Sequence, residues 1–315
     1  MKKFWRLAAA ATLAISMLAA CGAEKEIEQQ EQNITVEENS DTAFPVTVTD
    51  ALGKEITLEE APDRIVSLTP SNTEILFELG LDEEVVGVND NDNYPEQVAD
   101  KTRIGGIEYN IETIISLQPD VVFAHESSMF TFESAIEQLE ASGVTVFVVD
   151  NAETFDETYE TIEVIGTLTG KDEEADKIIA SIQSKLADIQ AKLQGVSPKT
   201  AFMVVGASPD IYVVGQNTFM NEMLKEINVD NAVKEEGWPL YSAEQFITAN
   251  PDSIVFTYAG DDETIKNNRA FAVMTAVQNN ALTVVDGDTT SRQGPRLAEG
   301  VESLAKAIYP EVFND

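Results

Sequence analysis

Little in this chain is equipped for covalent chemistry, and what there is stands out by type. There is one histidine, and the acids far outnumber the bases, 56 against 20. His125 follows the apolar run Val121-Val122-Phe123-Ala124, so its imidazole is expected at the end of a buried strand. An imidazole there can bond a small molecule or ligate a metal. Arg292 and Arg296 flank Gly294-Pro295. Guanidinium groups so placed suit bidentate recognition of anionic oxygens, or an ion pair inside the fold. The run Asn89 to Asn93 is rich in oxygen ligands, but no glycine turn or terminal glutamate follows at calcium-loop spacing, so it reads as a polar loop. Ser71 and Glu74, three apart, spell a capping box at a helix start. No phosphate-cradling glycine loop and no nucleophile elbow occurs.

The one cysteine has a different meaning. Lys2, Lys3 and Arg6 precede an apolar run from Leu7 to Leu18, too short to span a bilayer comfortably and built like a secretory leader. The run ends in Leu18-Ala19-Ala20-Cys21-Gly22, which resembles a bacterial lipobox. Cys21 is then the expected lipidated N-terminus, residues 1–20 the signal peptide, and residues 21–43 an acidic, disordered tether. With Cys21 lipidated, no thiol is left for a disulfide, a metal site or a nucleophile. The formal charge of −36 argues against nucleic acid, whose phosphates need clustered Lys and Arg.

Positioning these residues requires a fold, and the pattern is α/β. Val46 to Thr49 and Glu55 to Leu58 alternate about a turn and predict a hairpin. Arg64 to Leu68, Val85 to Val88, Val121 to Ala124 and Val144 to Val149 read as short buried strands, with helices expected near Asn72–Leu79, Ile111–Leu117 and Phe132–Ser142. Ala175, Ile178, Ile179, Ile182, Leu186, Ile189 and Leu193 recur at helical spacing and predict one long helix over Asp172 to Leu193. Alternation then resumes to a last helix near Ala298–Ile308. An internal echo accompanies it. Glu112-x-x-Ile115-x-x-x-Pro119-Asp120 and Glu244-x-x-Ile247-x-x-x-Pro251-Asp252 each open an apolar strand. The expected architecture is two pseudo-symmetric α/β lobes with parallel sheets, over residues 44–170 and 196–315, joined by one long helix at 171–195.

From about residue 44 the chain resembles the iron-siderophore and vitamin B12 class of periplasmic-type solute-binding proteins. The likeness rests on Arg64-Ile-Val-Ser-Leu-Thr-Pro-Ser-Asn-Thr-Glu-Ile-Leu-Phe, Asn93-Tyr94-Pro95, Ile111 to Asp120, Trp238-Pro239 to Asp252, and Gly294-Pro295-Arg296-Leu297. The resemblance implies a ligand cleft between the lobes and limited hinge motion about the single helix. It implies an ABC importer as partner, a permease dimer with its ATPase subunits, against which Glu112 and Glu244 dock, one per lobe. It further implies a small-molecule cargo, a location on the outer face of the bacterial cell membrane, and action as a monomer without a cofactor. For the cargo, Trp238, Tyr212 and Ser71 match positions of the vitamin B12-binding member, whereas Asn91, His125 and Gly106 stand where it carries aromatics. Cobalamin or a related corrinoid is the first expectation, a ferric siderophore or haem the alternative. Ser71, Asn91, Tyr94, His125, Tyr212, Trp238, Arg292 and Arg296 are the expected cleft residues. A metal-chelatase-like enzyme is the reading from another class, and it would have His125 alone to work with.

Overall fold

The computed structural model describes residues 43–313. The leader, Cys21 and nearly all of the expected tether lie outside the described residues. The hairpin forms as its alternation requires, β1 (Val46–Thr49) pairing antiparallel with β2 (Glu55–Leu58). The first lobe follows with β3 (Ile65–Ser67), α1 (Pro70–Glu78), β4 (Val85–Val88), β5 (Thr102–Arg103), α2 (Ile111–Ser116), β6 (Val121–His125), α3 (Met129–Ala141) and β7 (Val146–Val149). Its sheet runs in the order β5-β4-β3-β6-β7, all pairs parallel.

Helix α4 (Phe155–Thr169) has no counterpart in the sequence reading. Its signal was present, since Thr154 and Glu157 form a full capping box. Gly166 lets α4 lie against the next helix, because a Cβ there would come within 2.7 Å of the Ala175 Cβ. That next helix is α5 (Asp172–Leu193), and it buries the seven residues whose spacing predicts it. Asp172, Glu173 and Glu174 open it and Lys192 closes it, which suits the helix dipole at both ends.

The second lobe holds β8 (Lys199–Gly206), β9 (Ile211–Val213), α6 (Phe219–Glu226), β10 (Val229–Asn231), β11 (Leu240–Tyr241), α7 (Ala243–Ala249), β12 (Ser253–Phe256), α8 (Asp261–Asn267), α9 (Thr275–Gln278), β13 (Leu282–Val284), α10 (Gly287–Ser291) and α11 (Leu297–Ile308). Strands β10, β8, β12 and β13 are parallel, repeating the first lobe. The sheet is nonetheless mixed, since β9 turns back antiparallel on β8 and β11 pairs antiparallel with β9. These added strands are two and three residues long, too short for an alternating pattern to announce them.

Each sheet buries both faces. Separate clusters fill the two outer faces, around Phe132 and Leu139 in one lobe and Phe202 and Phe246 in the other. The inner faces share a single core that runs from Ile75 and Leu76 through Ile178, Ile182 and Leu186 of α5 to Met220 and Leu304. Close-packed interiors of this kind transmit strain instead of yielding to it, which ties the two lobes together more firmly than one connecting helix would.

Candidate functional site

In open parallel sheets, ligands bind beyond the carboxyl ends of the strands. In the first lobe these ends are Thr69 after β3, Asn89 after β4, His125 on β6 and Asn151 after β7. A cleft of about 370 Å³ opens there, lined on one side by Thr69, Ser71 and His125 and on the other by Phe219, Trp238 and Arg292. That size falls within the range of small-molecule sites. Four of the eight expected cleft residues therefore come together. Trp238 is 51% exposed, so it is a wall of the cleft and not a core tryptophan.

Asn91, Tyr94, Tyr212 and Arg296 do not line this cavity. Tyr212 stands opposite Leu240 in the β9–β11 pair, and both side chains are exposed. Asn91 is exposed, with its backbone N–H donated to Asn89 Oδ1 at 2.8 Å. Tyr94 lies over the Arg296 guanidinium, 4.2 Å from ring centroid to carbon.

The arginine pair has a structural task. Glu74 on α1 is fully enclosed. Arg296 donates to it through Nε (2.8 Å) and Nη2 (2.6 Å), and Arg292 through Nη1 (2.7 Å). Arg292 also reaches Asp288 at 2.9 Å and the Asn93 Oδ1 at 2.8 Å. This network joins the first lobe to the turn between α10 and α11, where a Cβ on Gly294 would sit 3.6 Å from Ile75. Of the two readings open for these arginines, the geometry carries the internal ion pair. It also removes the capping box expected from Ser71 to Glu74. Helix α1 begins at Pro70, its N-cap is Thr69, and no side chain caps it.

His125 is 3% exposed, and burial lowers its pKa to about 4, so the ring is neutral at pH 7. Its Nδ1 accepts the Ser127 N–H at 3.2 Å and lies 2.9 Å from the Ser127 hydroxyl, which can also donate to it, and an Nδ1 that accepts leaves the ring proton on Nε2. A metal-bound imidazole shows the reverse arrangement, ligating through one nitrogen while donating from the other. His125 is thus built as a hydrogen-bond donor. Among the described residues no group of His, Cys, Asp and Glu is arranged to hold a metal ion. Nearby, Asp92 is buried with one carboxylate oxygen unpaired, and desolvation raises its pKa to about 6 although the Thr73 hydroxyl at 3.0 Å works against it.

Glu112 and Glu244 lie in the first turns of α2 and α7, exposed, behind the N-caps Asn110 and Ser242. The sequence reading passed over Thr69, Asn151 and Phe219. The first two follow apolar strand runs, and the strand-end rule would have found them.

Three comparisons place the chain among known proteins. The profile of the family described as "Periplasmic binding protein" matches residues 65–289. An uncharacterized ABC transporter substrate-binding lipoprotein of Bacillus subtilis, YvrC, is 42% identical over the whole length of both chains. A cobalamin-binding protein of Halobacterium salinarum is 26% identical over 94% of this chain and 82% of its own. Among solved structures, a possible iron-binding (periplasmic solute-binding) protein from Staphylococcus epidermidis superposes with a TM-score of 0.74 at 36% identity, covering 79% of this chain and all of that one.

Proposed function

We propose that this chain, which belongs to the periplasmic binding protein family and is the substrate-binding component of an ABC transporter, captures cobalamin or a related corrinoid. The observation that carries this reading is Trp238, half exposed on the wall of the cleft opposite Ser71 and His125. A flat macrocycle gains from such a face by stacking. The cobalamin-binding relative supports it. A ferric siderophore is the second reading, favoured by the polar floor and by the possible iron-binding relative. Haem held through a histidine fits poorly, because the His125 lone pair is spent on the Ser127 N–H.

In this reading the chain is exported, anchored outside the membrane through Cys21, and docked on its permease through Glu112 and Glu244. Two exposed carboxylates, one per lobe, would fix its orientation on a two-fold symmetric partner and steer the encounter.

The test uses fluorescence of the protein beginning at Cys21, in which Trp238 is the one tryptophan left. Titration with cobalamin is expected to quench it saturably. Trp238→Ala should weaken cobalamin by about 1–3 kcal/mol, the scale of a lost stacking face. Quenching by ferric siderophores and not by corrinoids would sink the corrinoid reading. For docking, Glu112→Arg with Glu244→Arg should leave cargo affinity unchanged and abolish uptake in cells. Uptake that survives would sink the docking assignment.

A further inference from the structure

The floor of the cleft is the start of α1, and that start is open. The first N–H groups of any helix lack an acceptor within it. At α6, in the second lobe, Thr218 Oγ1 answers by accepting the Asn221 N–H at 3.2 Å. At α1 nothing equivalent happens. Pro70 opens the helix, no acid stands in the first turn, and no side chain caps it, which leaves the N–H groups of Ser71 and Asn72 without an acceptor.

Two buried side chains point to what belongs there. Ser71 is 4% exposed and lines the cleft, and its hydroxyl makes no hydrogen bond, because α1 already starts at Pro70 and Ser71 stands inside its first turn instead of capping it. His125 lines the same cavity, with Nδ1 occupied and its proton on the unpartnered Nε2. Buried polar groups are normally satisfied, so a set of donors left unmade around one cavity calls for an acceptor from outside. The helix dipole selects its charge, as it favours anions at an N-terminus. Arg292 lines the cavity as well, while the one acid lining it, Glu153, is exposed. In a chain of formal charge −36, a single carboxylate lines this cavity.

We propose that the first turn of α1 is a receptor for an anionic oxygen group of the cargo, a phosphodiester or a carboxylate, held by the Ser71 N–H, the Ser71 hydroxyl and His125 Nε2–H. The proposal rests on the cleft being the cargo site, but it does not depend on which cargo is right.

The chain's single histidine supplies the reporter. Isotope-labelled protein is titrated with inorganic phosphate and its one imidazole is followed by NMR. The expected result is a saturable shift in the parent and none in Ser71→Asp, whose new carboxylate repels the anion. That variant should fold as well as the parent, since an acid in the first turn suits the helix. A drift that does not saturate, or one unchanged by Ser71→Asp, overturns the receptor. Two ligand pairs then separate the sources: cobalamin against cobinamide, which lacks the phosphodiester, and haem against its dimethyl ester, which lacks free carboxylates. The anionic member of one pair should bind about tenfold more tightly, as one charge-assisted hydrogen bond allows, and Ser71→Asp should erase the difference. Equal affinities within both pairs overturn the receptor. A preference in the haem pair alone keeps the receptor and removes the corrinoid reading.

Discussion

The two lobes are built alike where their strands begin and differently where they end. At the beginning, α2 and α7 each carry a capped start, a glutamate in the first turn, a left-handed residue six positions on (Gln118, φ 48°; Asn250, φ 42°), then Pro-Asp and a strand. The aspartates perform one task twice. Asp120 accepts the Asp63 and Arg64 N–H groups at 2.9 and 2.8 Å, while Asp252 accepts the Thr200 N–H and hydroxyl, both at 2.8 Å. Each thereby ties the start of a central strand to its neighbour. At the carboxyl ends the likeness stops. The first lobe ends in polar groups and an uncapped helix. The second ends in the β9–β11 pair, with Tyr212, Trp238 and Leu240 standing exposed. Symmetry is kept where both lobes solve the same folding problem and dropped at the cleft, where their strands end.

The largest test of this contrast is Glu74. Thr69 and Thr218 occupy the N-cap positions of α1 and α6, although only Thr218 caps with its side chain, and five residues beyond them stand Glu74 and Met223. Both are buried. Making the lobes match by Glu74→Met would remove the buried counter-charge that Arg292 and Arg296 share and leave them only the more exposed Asp288 and Asp286. Removing one partner of a buried pair costs about 3–5 kcal/mol, to be read from the midpoint of urea unfolding. Adding Arg292→Met and Arg296→Leu should restore most of the loss, because an apolar replacement of the whole cluster leaves no buried charge. A single variant as stable as its parent would show the network to be incidental to the joining of the lobes.

Titration sharpens the contrast at a smaller scale. Among the described residues, every fully buried carboxylate or imidazole, namely Asp50, Glu74, Asp92 and His125, lies in the first lobe or its hairpin. Two of them oppose each other. His125 titrates near 4 in the fold against 6.5 unfolded, so the stability it confers is present above pH 6.5 and is lost as pH falls toward 4. Asp92 titrates near 6 against 3.8, so its contribution is present in acid and is lost as pH rises through 6. The two slopes largely cancel between pH 4 and 6. Asp92→Asn should therefore stabilise the protein above pH 6 by about 1–3 kcal/mol, converge with the parent near pH 3, and expose the His125 slope. Parallel stability curves for parent and variant would refute the assignment.

How far the sequence could be read follows the same division. The long helix was legible because seven apolar residues at three-and-four spacing admit one face. The echoed segments were legible because Pro-Asp and the glutamates are local signals. The misreading at Ser71–Glu74 had a tertiary cause, since the partners that claim Glu74 lie 218 and 222 residues further on and outweigh a local cap. The helix start at Pro70 puts Ser71 inside the first turn and not at its cap, which leaves the hydroxyl free on the wall of the cleft. The β9–β11 pair was missed for want of length; of the two aromatics expected from this region in the cleft, Trp238 lines it and Tyr212 does not. The cleft is made of the parts that local rules do not determine.

The smallest test returns to the beginnings of the strands, where the lobes are most alike. Left-handed backbone costs a residue with a Cβ, and glycine relieves that cost by up to about 1 kcal/mol. Gln118 is exposed and its side chain makes no hydrogen bond, so Gln118→Gly should stabilise the protein by roughly 0.5–1 kcal/mol. Asn250 occupies the same place in the repeat but has acquired a second task. Its Oδ1 accepts the Thr275 N–H at 2.7 Å and its Nδ2 donates to the Thr275 hydroxyl at 2.9 Å, which holds the start of α9. Asn250→Gly gains the same backbone relief and loses both bonds, at about 1 kcal/mol apiece. The net change should be a loss of about 1 kcal/mol. Matched urea titrations of the two variants would then move in opposite directions. If both gained, the echoed positions would be equivalent in energy as well as in form, and the divergence between the lobes would be confined to the cleft.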